Sequence, residues 1–386
     1  MSSQDLRDKF AFVGVGLTKQ GKVPEMGTND LAVQAIQLAL KDAGLRRDEV
    51  DGLFFQQGIG GGQDGATALR MVGIPANFFL EMQSGGNGCL SMVAAACGAL
   101  EAGLCKACIL LHATSASTQR ILVGAGGEQR STSGAYGAYG PVAGAAFIAR
   151  RFMHLYGLTR EQLGSVALTL RGNANKRPDA VMYERKLTME DYLKARYIVE
   201  PLCLYDCCLV NDGAVALIIT TAERAKSCRK PPVYVMGYGM DSSLREMGRS
   251  AQAIMHFDGP ITRKAGENAF KMAGITLKDV DVAQFYDAFT PFILTQLESY
   301  GVCGKGEAGH FVAEGNIKPD GVFPCNTSGT EHSWSYLMGF THLTEGIRQM
   351  RGEAGACQIK DAEVCMVTGM GVSSSGNAAA CCVIRR

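Results

Sequence analysis

Ser84-Gly85-Gly86-Asn87-Gly88-Cys89-Leu90-Ser91 delivers a thiol to the start of a helix through a run of glycines. The first N–H groups of a helix have no partner within it. A thiol held there has its thiolate favoured by their dipoles and becomes a nucleophile. A buried, inert cysteine is an equally good reading of the same residues. Three downstream segments carry further polar chemistry: Tyr286-Asp287-Ala288-Phe289-Thr290, Asn326-Thr327-Ser328-Gly329 and Gly369-Met370-Gly371-Val372-Ser373. Each falls just beyond an expected strand or at a helix start, and in open parallel sheets ligands bind along that edge. Gly60-Gly61-Gly62-Gln63-Asp64-Gly65 also satisfies GxGxxG. It follows the second strand of its unit, however, and only a short helical stretch precedes Pro75, so a flexible turn outweighs a dinucleotide site.

The elements that must position these residues are legible from periodicity. Lys9 to Val15 reads as a buried strand, and Thr28-Asn29-Asp30 caps an amphipathic helix that Gly44 stops, with Ala32, Ala35, Ile36, Ala39 and Leu40 on one face. A second strand starts at Val50, which makes a βαβ unit and implies parallel sheet. The pattern returns 230 residues later: Ala35, Ala39, Lys41, Ala43, Gly44, Val50, Asp51 and Phe55 fall on Ala265, Ala269, Lys271, Ala273, Gly274, Val280, Asp281 and Phe285. That is an internal repeat of one supersecondary unit, too widely spaced for a solenoid. Each half carries a second unit. The first has a small-residue helix from about Leu90 to Ala102 and a strand from Ala107. The second has a helix near Ser335 to Arg351 and a strand at Glu363 to Thr368. Between the halves, about Ser115 to Pro201 is rich in Gly, Tyr, Arg and Ser, with helical pieces at Pro141 to Tyr156 and Thr188 to Tyr197, ahead of a strand from Gly213 to Thr220. Insertions of this kind in α/β folds often cover an active site.

Composition removes several classes of function. Across 386 residues Lys plus Arg (38) nearly cancels Asp plus Glu (37), so there is no electrostatic ground for a nucleic acid or an anionic membrane as partner. No apolar run reaches the roughly 18 residues of a spanning helix. The start of the chain lacks the basic-then-apolar layout of a secretory signal, so a cytoplasmic location is expected. The 14 cysteines sit mostly inside apolar runs and read as free thiols of a reducing compartment. Cys105-Lys106-Ala107-Cys108 is a single CxxC without a second pair or spaced histidines, so no metal is expected.

Asn211-Asp212-Gly213-Ala214-Val215-Ala216 with Ala222-Glu223-Arg224-Ala225, the helix end Glu101-Ala102-Gly103, and Gln349-Met350-Arg351-Gly352-Glu353-Ala354 resemble the thiolase superfamily nearly end to end. Tyr286-Asp287-Ala288-Phe289-Thr290-Pro291, Leu297-Glu298-x-x-Gly301 and Pro324-x-Asn326-Thr327-Ser328-Gly329 are most similar to its sterol-carrier-type, non-decarboxylating branch. That branch holds thiolases such as the benzoylsuccinyl-CoA thiolase catalytic subunit, and also retro-aldolases that shorten steroid side-chain CoA thioesters. The resemblance implies two pseudo-symmetric βαβαβαββ halves in a five-layer α-β-α-β-α body: residues 1–225, including the inserted region, and 226–386. It further implies a homodimer, an acyl-CoA substrate, coenzyme A as co-substrate with no covalently bound cofactor, and a small zinc-ribbon/OB-fold partner subunit.

The resemblance also shows where this chain departs. Thiolases place their nucleophilic cysteine about 17 residues before the glycine that ends its helix, which from Gly103 lands on Gly86, with Cys89 three positions on. The usual Asn-Glu-Ala-Phe reads Tyr286-Asp287-Ala288-Phe289, and the Gly-His-Pro histidine falls at Tyr336. His332, on the same loop as Asn326, is the candidate to replace the missing imidazole. A phenol is a poor base at neutral pH but a good donor to an enolate or alkoxide. Cys89 favours thiolysis of a bulky, possibly aromatic 3-oxoacyl-CoA, with Cys89 as nucleophile, Tyr286 as proton relay and Tyr336 as enolate donor. Asn326, His332 and the backbone near Gly371 would then bind substrate or oxyanion. The paired phenols favour the alternative, retro-aldol cleavage of a 3-hydroxyacyl-CoA, which needs no acyl-enzyme. A third reading is a non-catalytic thiolase-like subunit that binds acyl-CoA or scaffolds a partner.

Overall fold

The computed structural model describes residues 3–58, 65–121, 135–241, 261–371 and 379–386. Nine strands form one mixed sheet: β1 (Phe10–Leu17), β2 (Gly52–Gln56), β3 (Phe78–Met82), β4 (Ala107–Ser115), β7 (Asp212–Thr221), β8 (Val233–Asp241), β9 (Val282–Gln284), β10 (Val364–Met370) and β11 (Ala379–Arg385). β5 (Tyr197–Val199) and β6 (Leu202–Cys203) make a separate ribbon. The order is β3-β2-β4-β7-β1-β8-β11-β10-β9. Each half begins with the strand at the centre, and the halves meet where β1 pairs with β8 through Ala11 opposite Tyr234 and Phe12 opposite Val233. A parallel bridge from Ala283 to Cys325 extends the second half by one position, giving the two flanks matching orders.

The principal helices are α1 (Thr28–Ala43), α2 (Gly65–Val72), α3 (Gly88–Glu101), α4 (Gly140–Tyr156), α5 (Arg160–Ala174), α6 (Ile261–Ala273), α7 (Thr290–Ser299) and α8 (Phe340–Arg351). Three buried clusters show the layering. α1 and α2 cover one face of the first half through Ala35, Ile36, Ala39 and Leu69. α3 and α8 share a core with strands of both halves, including Phe12, Leu110, Val367 and Cys382, and so form the middle layer. α6 covers the opposite face of the second half, where α4 and α7 join the same core. The expected five-layer thiolase-like architecture is therefore present.

The repeat has a packing cause. An added Cβ on Gly14 would lie 2.5 Å from the Ala39 carbonyl oxygen and one on Gly16 2.0 Å from that of Ala35. In the second half an added Cβ on Gly237 would lie 2.4 Å from the Ala269 carbonyl oxygen and one on Gly239 2.1 Å from that of Ala265. Both halves thus use two strand glycines against two helix alanines to bring backbone onto backbone. These are the alanines that superpose at a shift of 230.

Several sequence expectations shift at their boundaries. The helix expected from Ser335 starts only at Phe340, because Met338 (φ 51°) and Gly339 (φ 92°) hold left-handed backbone that no helix accepts. In the inserted region the second helical piece is only Met189–Lys194, and α5, which the sequence reading left out, buries residues along its length from Leu163 to Ala174. Thr159 caps α5 by accepting from the Gln162 N–H, while the Gln162 side chain accepts from the Thr159 N–H. All fourteen cysteines are free; Cys105 and Cys108 are buried, with sulfurs 3.1 Å apart. The GxGxxG stretch lies outside the described residues except for Gly65.

Candidate active site

Four chain segments converge at Gly86, and glycines allow it. An added Cβ on Gly339 or on Gly369 would each lie 2.7 Å from the Gly86 carbonyl oxygen, and one on Gly371 would lie 2.7 Å from Asn87 Oδ1. The loop entering α3, the loop entering α8 and the end of β10 therefore touch backbone to backbone. The fourth participant is a side chain. An added Cβ on Gly86 would stand 2.0 Å from Tyr286 Cζ and 2.4 Å from its hydroxyl oxygen, so the phenol fills the space a side chain at residue 86 would need.

Tyr286 is fixed from both ends of its peptide. It follows β9, its N–H donates to Thr368 Oγ1 at 3.0 Å, and its carbonyl accepts from Gln296 Nε2 at 2.8 Å. Thr368 in turn donates its hydroxyl to Gln296 Oε1, closing a buried loop between β10 and α7. Tyr336 comes from the opposite side. Its N–H donates to Asn211 Oδ1 at 2.6 Å, and Asn211 Nδ2 donates to Ser335 Oγ at 3.1 Å. The two phenols are electrostatic neighbours, each raising or moderating the other's pKa. Tyr286 is buried whereas Tyr336 is partly exposed, so Tyr336 is the phenol nearer solvent. Burial pushes both hydroxyls well above the ordinary phenol range, and the charge of Glu331 adds to the effect. Each is a proton donor or conduit, and neither is a base at neutral pH.

Behind the phenols lies a network that sequence reasoning missed. Asp287, Glu331 and His342 are fully buried. His342 Nε2 bonds Asp287 Oδ1 at 2.8 Å, the Glu331 N–H donates to the same oxygen at 3.1 Å, and the Thr330 hydroxyl donates to Asp287 Oδ2. The Gly339 N–H donates to Glu331 Oε1. Glu331 Oε2 makes no hydrogen bond, and the Tyr286 phenol stands close by, with Gly339 packed on Gly86 and the phenol in the space of a Gly86 side chain. Burial alone would deprotonate His342, but the charge and hydrogen bond of Asp287, with Glu331 behind, carry its pKa above the usual value. Burial pushes Glu331 up to about 8; His342 and the Gly339 N–H moderate the rise, and Asp287 adds to it. Among the described residues this is the one group of three whose donor atoms come within 4.8 Å of one another. Both Asp287 oxygens and His342 Nε2 are already bonded within the group or to its loop, so the set is a hydrogen-bonded network rather than an ion site.

The other expected site residues have different surroundings. Cys89 is fully buried among Leu90, Leu337 and Phe340, and burial pushes its thiol well up, with Cys382 and Glu331 adding to the effect. Its backbone position at the start of α3 does not offset that desolvation, which favours the neutral thiol. Asn326 ties its loop to the segment after β9: Oδ1 accepts from the Phe285 N–H at 2.8 Å, and Nδ2 donates to the Phe285 carbonyl at 2.7 Å and to Thr330 Oγ1 at 2.9 Å. It holds left-handed backbone (φ 49°), as Thr330 does (φ 34°), and these bonds secure that strain next to Tyr286. His332 is buried, neither ring nitrogen has a partner of regular geometry, and burial lowers its pKa against the opposing charge of Asp287. The imidazole beside the phenols is instead His342, whose ring centroid lies 5.7 Å from that of Tyr286. Gly371 packs against Asn87 and Ser84 at the edge of the described chain. The structure therefore gathers Tyr286, Tyr336, Asp287, Glu331 and His342 at one place. Cys89 borders this place, its Cβ 3.6 Å from where a Cβ on Gly339 would stand, with its thiol buried.

A family model described as "Thiolase C-terminal domain-like" matches residues 251–383. The chain is 34% identical over 386 residues to the 17-hydroxy-3-oxo-4-pregnene-20-carboxyl-CoA lyase of Mycobacterium tuberculosis, covering 96% of this chain and 99% of that one. This chain belongs to the thiolase superfamily, in its sterol-carrier-type branch. A second relative in the superfamily, the steroid side-chain-cleaving aldolase of Thermomonospora curvata, is 32% identical over 378 residues, 95% of this chain and 96% of its own. The solved structure of the Ltp2-ChsH2(DUF35) aldolase superposes with a TM-score of 0.89 at 31% identity, covering 98% of each chain. Relatives in the superfamily include acetyl-CoA acetyltransferases as well as aldolases, so this member is an enzyme of thiolase-type or aldolase chemistry. No helix among the described residues is long and apolar enough to cross a membrane.

Proposed function

We propose that this superfamily member is a retro-aldolase, cleaving the bond between the α- and β-carbons of a 3-hydroxyacyl-CoA whose β-carbon carries a bulky, steroid-like group. One observation carries the reading: the Tyr286 hydroxyl occupies the space that a nucleophilic side chain at residue 86 would fill. With no side chain at 86 and the neighbouring Cys89 thiol pushed up by burial, the convergence point offers no activated acyl acceptor. Two phenols are present instead. A retro-aldol step needs a route for the hydroxyl proton and a donor for the enolate that leaves, and both are proton-transfer and electrostatic tasks. Tyr336, nearer solvent, meets the substrate hydroxyl. Tyr286 lies behind it, and the glycine-lined backbone around Gly86 gives the thioester close approach. The names of the two steroid-acting relatives support a polycyclic acyl group over the aromatic one that the sequence reading put first.

Coenzyme A is then the handle of the substrate and not a second reactant. Product analysis separates the two chemistries. Incubation with a 3-hydroxyacyl-CoA bearing a tertiary alcohol is expected to release a ketone and a shortened acyl-CoA without added CoA. Turnover only of a 3-oxoacyl-CoA, and only with free CoA, would establish thiolysis instead. The pairing of Ltp2 with ChsH2(DUF35) in the superposed complex supports a small partner subunit for this chain also, checked by co-purification of the two.

A further inference from the structure

A buried carboxyl group with one oxygen free of regular hydrogen bonds calls for an explanation, because an unpaired polar atom in the interior costs stability unless it has a task. Glu331 is such a group. It is fully buried, Oε1 is held by the Gly339 N–H, and Oε2 has no partner; Gly339 packs on Gly86, whose missing side chain the Tyr286 phenol replaces. Tyr286 in turn neighbours Tyr336, and exposure falls along the series from the partly exposed Tyr336 through buried Tyr286 to Glu331. Three oxygen groups that can each hold a proton are thus ranked by exposure.

We propose that Glu331 is the proton acceptor of this site, taking the substrate's hydroxyl proton through Tyr336 and Tyr286 and returning it to the α-carbon of the enolate. The inference rests on the retro-aldol reading. In the forward step the substrate O–H bond breaks, its proton passes to the Tyr336 oxygen, the Tyr336 proton to Tyr286, and the Tyr286 proton to the Glu331 carboxylate. The electron pair of the O–H bond becomes the second bond of the new carbonyl, and the pair of the α–β bond leaves as the thioester enolate. The enolate then takes a proton back along the same path, which restores the carboxylate. Nothing is oxidised or reduced.

The surroundings of Glu331 suit the task. The groups facing it are Asp287 and His342 on one side, Tyr286 and Tyr336 in front, and the thiols of Cys89 and Cys208. The phenols are pushed too far up to keep a proton-accepting form at neutral pH. Glu331, displaced upward to about 8, is close to the value a base needs there. His342, its Nε2 bonded to Asp287, lies beside the carboxyl and moderates its rise.

The test is the pH profile of kcat for the wild type and Glu331→Gln with a tertiary 3-hydroxyacyl-CoA, joined to an infrared titration of the free protein. The wild-type rate is expected to rise with pH and level off above about 8, as the carboxyl ionises. Glu331→Gln should lower kcat by roughly 10²–10⁴-fold, leave KM within a few-fold, and lose that limb. Glu331→Asp should recover part of the rate with the limb restored. The infrared band of a protonated buried carboxyl should fade through the same pH range and be absent from Glu331→Gln. Wild-type-like kcat and pH dependence in Glu331→Gln would overturn the proposal, as would a carboxyl band that titrates in the ordinary glutamate range. No cleavage by the wild type would sink the retro-aldol reading. The infrared titration needs no turnover and would still decide whether Glu331 holds the proton.

Discussion

At residue 86 the loss of a side chain and at residue 286 the gain of a phenol form one exchange, because the two compete for the same volume. The Tyr286 hydroxyl stands 2.4 Å from where a Cβ on Gly86 would be, so either residue can be large but not both. Gly86→Ala is therefore expected to displace the Tyr286 ring and lower kcat by at least 100-fold, a cost of about 3 kcal/mol in transition-state stabilisation. Far-UV circular dichroism should stay native, since the loop and not the core absorbs the shift. Retained activity in Gly86→Ala would show that the phenol does not act where it stands. The cysteine three residues on attracted attention because thiols are chemically conspicuous. Its burial among Leu90, Leu337 and Phe340 is a tertiary fact that no local spacing records. Glu331 and His342 were illegible for the opposite reason. A glutamate between Thr330 and His332 looks like a solvated loop residue until the fold places it beside Asp287, forty-four residues away in sequence. The one local signal was the crowding of polar residues from Asn326 to Ser335 ahead of a helix.

The elements were more readable than the site, because their packing rests on residue size and not on distant partners. Gly14 and Gly16 against Ala39 and Ala35, and Gly237 and Gly239 against Ala269 and Ala265, leave a sequence trace in both halves. The helix before Arg351 was placed too early because Ser335 to Gly339 is compatible with a helix by composition. Its left-handed backbone is imposed by contact with Gly86 and by the Gly339 N–H bond to Glu331. α5 was missed because its apolar residues are interrupted by Thr169, Arg171 and Asn173, polar groups buried in native bonds such as Asn173 Nδ2 to the Asn326 carbonyl at 3.1 Å. At this scale Gly239→Ala is expected to destabilise the protein by about 1–3 kcal/mol or more, since its methyl would meet a helix backbone oxygen at 2.1 Å and neither element can yield alone. Thermal denaturation monitored by circular dichroism measures it. An unchanged midpoint would mean that β8 and α6 are not in backbone contact.

Across the whole molecule, the pseudo-symmetric halves contribute unequally to chemistry. The first half brings a bare loop at Gly86 and the helix it enters. The second brings both phenols and the acidic network, on Tyr286 after β9 and on the loop from Asn326 to Gly339. α3 and α8 lie together in the middle layer, so the loops that precede them open onto the same place. The central claim is that this place cleaves a carbon–carbon bond without an acyl-enzyme. The most direct measurement is intact-protein mass spectrometry during a single turnover, with ketone release followed in the same samples and with Cys89→Ser run in parallel. The account predicts unmodified protein at every time point, ketone appearing with the shortened acyl-CoA, and a turnover rate in Cys89→Ser close to that of the wild type. An acyl adduct that maps to Cys89, forms before product and disappears on addition of CoA would contradict it.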